Sequence, residues 1–118
     1  MYKRQKYGDL KNGVKNTGID FAADTGDTVT SAASGVVAHV GKDTKFGNIV
    51  IIKHENLDLQ TAYAHLGTVN VSKGQVVSSG DKIGTVGLDA GEDAVPTLHF
   101  AVRKGKASVD PMSYFKSE

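Results

Sequence analysis

The chain has 118 residues, 39% hydrophobic and 23% charged, a size and balance that suit one globular domain with a modest core. A net charge of +1 excludes the strong global field that would point to nucleic acid, a membrane surface or an acidic substrate. The absence of cysteine excludes disulfides, iron–sulfur clusters and thiolate zinc sites.

In chain order, the opening MYKRQKYGDL carries no apolar leader, and the expectation is a single domain over residues 1–118, cut from a longer protein. Basic residues gather at Lys3, Arg4, Lys6, Lys11 and Lys15, and again at Arg103, Lys104 and Lys106; both groups read as solvated surface. Short apolar runs then alternate with glycine-bearing turns. GVVAHV (35–40), NIVIIKH (48–54), TAYAHL (61–66), QVVSSGDKIGTVG (75–87) and LHFAVRK (98–104) read as strands. Their Val, Ile, Tyr and Phe content suits half-buried pleated surfaces. No stretch of ten or more residues has a helical period with a convincing cap. The expected fold class is all-β and antiparallel, with strands about ten residues apart.

The segments TGDTVTSAASGVV (25–37) and KGQVVSSGDKIGTV (73–86) echo each other: a glycine, a valine three residues on, a small or polar turn, then a branched apolar residue. The echo is similar to the two halves of lipoyl and biotinyl carrier domains. No lysine here has the methionine neighbour of a modified carrier lysine, so the echo is read as barrel architecture.

Asn16 and Asp20 in KNTGID stand four apart around a glycine, a spacing that would clamp a metal if Asn16 were histidine. In TLHFAV the strand period of two puts Leu98, Phe100 and Val102 on one face and Thr97, His99 and Ala101 on the other. Tyr63 and His65 are expected to share a face in TAYAHL. A lone strand histidine is more commonly hydrogen-bonded than metal-ligating, and His39 and His54 are read as structural.

Taken in order, NTGIDFAADTGDTVTSAASGVV, FGNIVIIKH, TAYAHL, VSKGQVVSSGDKIGTVG and TLHFAV resemble the LytM-type (lysostaphin-like) zinc endopeptidases that cut peptidoglycan cross-bridges. The likeness covers about residues 7–115. It implies a flattened barrel-sandwich hybrid of antiparallel strands. It also implies zinc-ligand positions at Asn16, Asp20 and His99, and a supporting catalytic pair at Thr97 and His65. Two of these five depart from the active pattern. An asparagine amide is a poor zinc donor, and threonine cannot shuttle a proton near pH 7. A neighbour such as His54 or Asp24 would have to replace the lost ligand.

The same departures resemble the degenerate LytM domains of the NlpD/EnvC group, with NTGID, GNIVIIKH, AYAHL, LHFAVR and the closing VDPMSYF in its style. That resemblance implies a catalytically inactive domain without zinc. It implies a partner, a cell-wall N-acetylmuramoyl-L-alanine amidase activated during cell separation, and a periplasmic location. The expected docking groove holds Asn16, Asp20, Phe46, His65, Leu88, Val95, Thr97 and His99, walled by residues 41–47 and 88–96. Two alternatives stand beside it: a peptidoglycan-binding module, and a zinc endopeptidase with an altered site. No nucleic-acid partner and no membrane contact by this domain itself are expected, and the domain is expected to be a monomer.

Overall fold

In the computed structural model the described residues are 2–5, 10–11, 14–15, 18–22, 24–43, 47–54, 59–88, 96–104 and 107–109. They form twelve strands: β1 (Tyr2–Gln5), β2 (Leu10–Lys11), β3 (Val14–Lys15), β4 (Ile19–Ala22), β5 (Thr28–Thr30), β6 (Gly35–Asp43), β7 (Gly47–His54), β8 (Leu59–Val69), β9 (Val76–Val77), β10 (Lys82–Leu88), β11 (Pro96–Lys104) and β12 (Ala107–Val109). Every pairing among them is antiparallel. One ten-stranded sheet runs β1-β4-β11-β10-β8-β7-β6-β9, with β12 beside β11 and β5 beside β10; β2 and β3 form a separate ribbon. No helix occurs among the described residues. The all-β, antiparallel expectation is borne out.

Alternation decides which face is core. Val50 and Ile52 of β7 are fully buried, while Ile49 and Ile51, alternating with them, are half-covered. On β11, Leu98, Phe100 and Val102 join the same core, as period two predicts. Tyr63 packs on Phe100 with ring centroids 5.3 Å apart.

Two sequence expectations need correction. The run 75–87 is two strands, because a tight turn at 78–81 separates β9 from β10. Residues 41–43 and 47, expected in a groove wall, belong to strands, since β6 extends to Asp43 and pairs there with Gly47 of β7.

The echo between 25–37 and 73–86 is a reciprocal interlock. Gly26 N–H donates to Val86 and Val86 N–H donates to Asp27, at 3.0 and 2.9 Å. In the other half, Gly74 N–H donates to Val37 and Val37 N–H donates to Gln75, at 2.7 and 2.9 Å. Each half closes its turn on the strand of the other. The turns at 24–27, 72–75 and 78–81 share one design: the fourth residue's N–H bonds the first carbonyl, and its side chain accepts from the first N–H. The third residue is glycine with φ near +90° in all three, a conformation that side chains resist.

Long β8 changes partners along its length. Gln60 to Ala64 pair with β11, whereas Leu66 to Val69 pair with β10. The changeover falls at His65, the one non-glycine residue with positive φ (61°) among those described. There β10 and β11 also meet each other, through Gly87↔Thr97 and Leu88↔Pro96. The curl of the sheet therefore puts a three-strand junction around His65.

Candidate functional site

The site forms at that junction. On β11, Thr97 and His99 leave the face opposite the core and are both buried, at 1% and 8% exposure. His99 lies opposite Ala64 of β8 on one side and opposite Asp20 of β4 on the other. His65 meets His99 edge to face, with ring centroids 6.2 Å apart and planes at 74°.

Tyr63 and His65 do not share a face, contrary to the simple alternation. Tyr63 pairs with Phe100 on the core side, while the left-handed backbone at His65 turns its ring to the His99 side. A non-glycine residue in this region is strained, and such strain persists only where surrounding structure holds it.

Glycines make room for this arrangement. A Cβ at Gly18 would lie 2.4 Å from the Phe100 carbonyl and 3.0 Å from His99 Nε2. The backbone at position 18 can thus approach the imidazole this closely only with glycine there. A Cβ at Gly87 would lie 2.8 Å from both His65 O and Gly67 N, so the junction closes only with glycine at 87. Motif reading noted Gly18 only as the glycine between Asn16 and Asp20, and it missed Gly87, whose signal was a glycine inside an otherwise apolar strand.

His54 and Tyr63 belong to a separate buried polar run. His54 Nδ1 donates to the Ser34 carbonyl at 2.8 Å, since that oxygen can only accept, and Nε2 is hydrogen-bonded to Thr61 Oγ1 at 2.8 Å. Thr61 is hydrogen-bonded to the Tyr63 hydroxyl at 2.9 Å, which also accepts from Ala32 N–H at 2.9 Å. Burial pushes the Tyr63 hydroxyl above its ordinary pKa, against the opposing effect of these hydrogen bonds. With both ring nitrogens engaged and the residue 1% exposed, His54 cannot serve as a replacement metal ligand. Asp24 lies exposed in the turn at 24–27, where its backbone N–H donates to the Asp27 carboxylate. His39 is exposed on β6, its ring lying over Gly41.

Of the expected groove residues, the structure brings together His65, Thr97 and His99, with Asp20 beside His99 by strand register. Leu88 is placed by its pairing with Pro96. Asn16, Phe46 and Val95 lie outside the described residues, as do positions 44–46 and 89–95 of the expected walls. Among the described residues, no group of three or more His, Cys, Asp or Glu side chains could hold a metal ion. A catalytic zinc needs three protein ligands and an open water position. Asp20 and His99 alone fall short of that donor set, and Thr97 contributes no imidazole.

Comparison with known proteins agrees with this geometry. The profile of "Peptidase family M23" matches residues 14–111. The chain is 40% identical over 100 residues to "Murein hydrolase activator NlpD" of Escherichia coli, covering 84% of this chain and 26% of that protein. It is 40% identical over 112 residues to "Cell division protein DipM" of Caulobacter vibrioides, covering 89% and 18%. It is also 39% identical over 98 residues to "DD-carboxypeptidase/endopeptidase Mpg" of Neisseria gonorrhoeae, covering 83% and 22%. The chain thus spans about a quarter or less of these curated relatives. The solved structure of the antimicrobial peptidase lysostaphin from Staphylococcus simulans superposes with a TM-score of 0.86 at 27% identity, over 97% of this chain and 48% of that one. Activator and enzyme stand at nearly equal identity, 40% and 39%, so overall similarity does not choose between them, but profile, relatives and superposition agree that the chain belongs to peptidase family M23.

Proposed function

We propose that this domain is a non-catalytic M23 member that activates a cell-wall amidase by docking through its vestigial groove. The observation that carries this reading is Thr97. It is buried on the site face two residues before His99, where the LytM-type pattern has a second histidine. Its hydroxyl cannot take or give a proton near pH 7. Asn16 strengthens the reading, because a neutral amide stands where that pattern has a zinc-binding imidazole. Similarity to a murein hydrolase activator and a cell-division protein supports a role in the cell wall, at the periplasmic face of the envelope.

What remains of the site suits binding better than chemistry. His65 and His99 are held in a fixed edge-to-face arrangement by a strained backbone and close-fitting glycines. A preorganised site loses little entropy on binding. Activation then follows from differential affinity: the domain must bind the open amidase better than the closed one, shifting the population toward the open form.

The experiment is dye release from labelled peptidoglycan by the domain alone, by an amidase alone and by the mixture. Release by the mixture above the amidase's own rate is the expected result. Release by the domain alone, abolished by a chelator, would instead make it a zinc endopeptidase.

A further inference from the structure

Strand β8 slips out of register on both of its sides around His65. Toward β7, Leu66 lies opposite Asn48 and Tyr63 lies opposite Val50, so Ala64 and His65 together face the single residue Ile49. Toward β10, Thr68 lies opposite Thr85 and Leu66 lies opposite Val86, so Gly67 is an extra residue there. An extra residue in one strand interrupts the ladder and re-aims the side chains beside it. His65, with its φ of 61°, stands between the two irregularities.

Backbone polar groups at an interrupted ladder draw on side chains for partners. Asn48 adds such a donor. Its side-chain nitrogen Nδ2 donates to Leu66 O at 2.9 Å and reaches Gly67 O, more weakly, at 3.5 Å. Both oxygens belong to carbonyls, which only accept, so the nitrogen of the amide and not its oxygen faces them. An amide nitrogen carries two protons and can serve both at once. Gly47, one residue earlier, brings its own backbone close: a Cβ there would lie 3.7 Å from the Cα of His65. The start of β7 thus braces the backbone at and just after the histidine.

We propose that Asn48 is a positioning residue for His65. Its amide grips the two carbonyls that follow the histidine and holds the bulge that turns the imidazole toward His99. A left-handed backbone under a side chain persists only where its surroundings hold it, and Asn48 holds it from the neighbouring strand. The requirement is for a donor on a short stem. Aspartate has the same shape but presents only acceptors to two carbonyl oxygens at neutral pH, and alanine presents nothing. The effect on amidase stimulation rests on the groove reading above; the effect on His65 does not.

The test is NMR of the domain and of the variants Asn48→Asp and Asn48→Ala, following the ring signals of His65 and His99 and the NOE between the two rings. Both variants are expected to shift the His65 signals and to lower the share of molecules with the rings edge to face by on the order of fivefold, the equivalent of one lost hydrogen bond. The control Asp81→Ala removes a side-chain bond of the distant turn at 78–81. It should lower the urea midpoint and leave both rings in place. In the unmodified domain, an Asn48 side-chain proton is expected to exchange slowly with water, a reading that needs no variant to fold. Free exchange of both protons, His65 signals unmoved in the Asn48 variants, or the same shifts in Asp81→Ala would each overturn the proposal. In dye release with an amidase, both Asn48 variants should lose stimulation. Stimulation lost while the rings stay in place would also overturn it. Displaced rings with full stimulation would uphold it and tell against the groove reading instead.

Discussion

His65 and His99 come from different strands yet face each other edge to face at 6.2 Å, because β8 exchanges one partner strand for another at His65. The left-handed φ of 61° is what turns the ring toward the site. A side chain in this region costs about 1 kcal/mol that glycine does not. His65→Gly should therefore be more stable than His65→Ala by about that amount, in urea unfolding, although both lack the ring and both should lose groove binding. A less stable glycine variant would mean that the backbone at 65 is not strained.

The zinc-free reading predicts its own reversal. Asn16→His together with Thr97→His would restore the LytM-type donor and base positions. The purified double variant should carry close to one zinc per chain by elemental analysis, where the unmodified domain carries little. A zinc-loaded unmodified domain would sink the reading.

Tyr63 ties β8 to the Ala32 segment. Tyr63→Phe leaves the Ala32 N–H without its acceptor and should cost about 1–2 kcal/mol near neutral pH. The pH dependence has a definite sign. The folded pKa of Tyr63 is raised by burial, so the folded state keeps its proton to higher pH than the unfolded chain does. That contribution is fully present below the ordinary tyrosine pKa of about 10 and is lost as pH rises through the folded value. Unfolding followed from neutral to alkaline pH should show a shallower decline for Tyr63→Phe than for the parent.

The glycines should separate into two classes. Gly26, Gly74 and Gly80 have open space at the Cβ position but φ near +90°, so each alanine variant should lose about 1–2 kcal/mol from backbone strain. At Gly87 the new Cβ would strike backbone atoms of His65 and Gly67 at 2.8 Å. Gly87→Ala should cost more than any of the three, and in NMR spectra it alone should shift the His65 and His99 ring signals.

Much of this was legible from local pattern. The alternation in LHFAVRK predicted which residues of β11 enter the core, because a strand's side chains leave opposite faces in turn. The echo marked TGD and KGQ as corresponding segments but not as turns; each proves to be one, with glycine third, because glycine permits the φ that such a turn requires. Alternation failed where the chain departs from regular pleat. Tyr63 and His65 fall on different faces because the partner exchange and the positive φ insert an irregularity between them. The short strands β1, β4 and β12 were missed because short strands acquire their conformation from a neighbour's hydrogen bonds more than from their own composition.

By itself, the sequence determined an all-β chain, the core face of β11 and the residue types at Asn16, Asp20, His65, Thr97 and His99. Those are local properties, carried by periodicity and by side-chain chemistry. Only the tertiary structure decided that His65 sits at a three-strand junction, that His54 is closed off by hydrogen bonds at both ring nitrogens, and that the Asn48 amide reaches the carbonyls of Leu66 and Gly67. Each of these depends on the register between strands far apart in sequence, and register is set by the burial of the whole sheet at once.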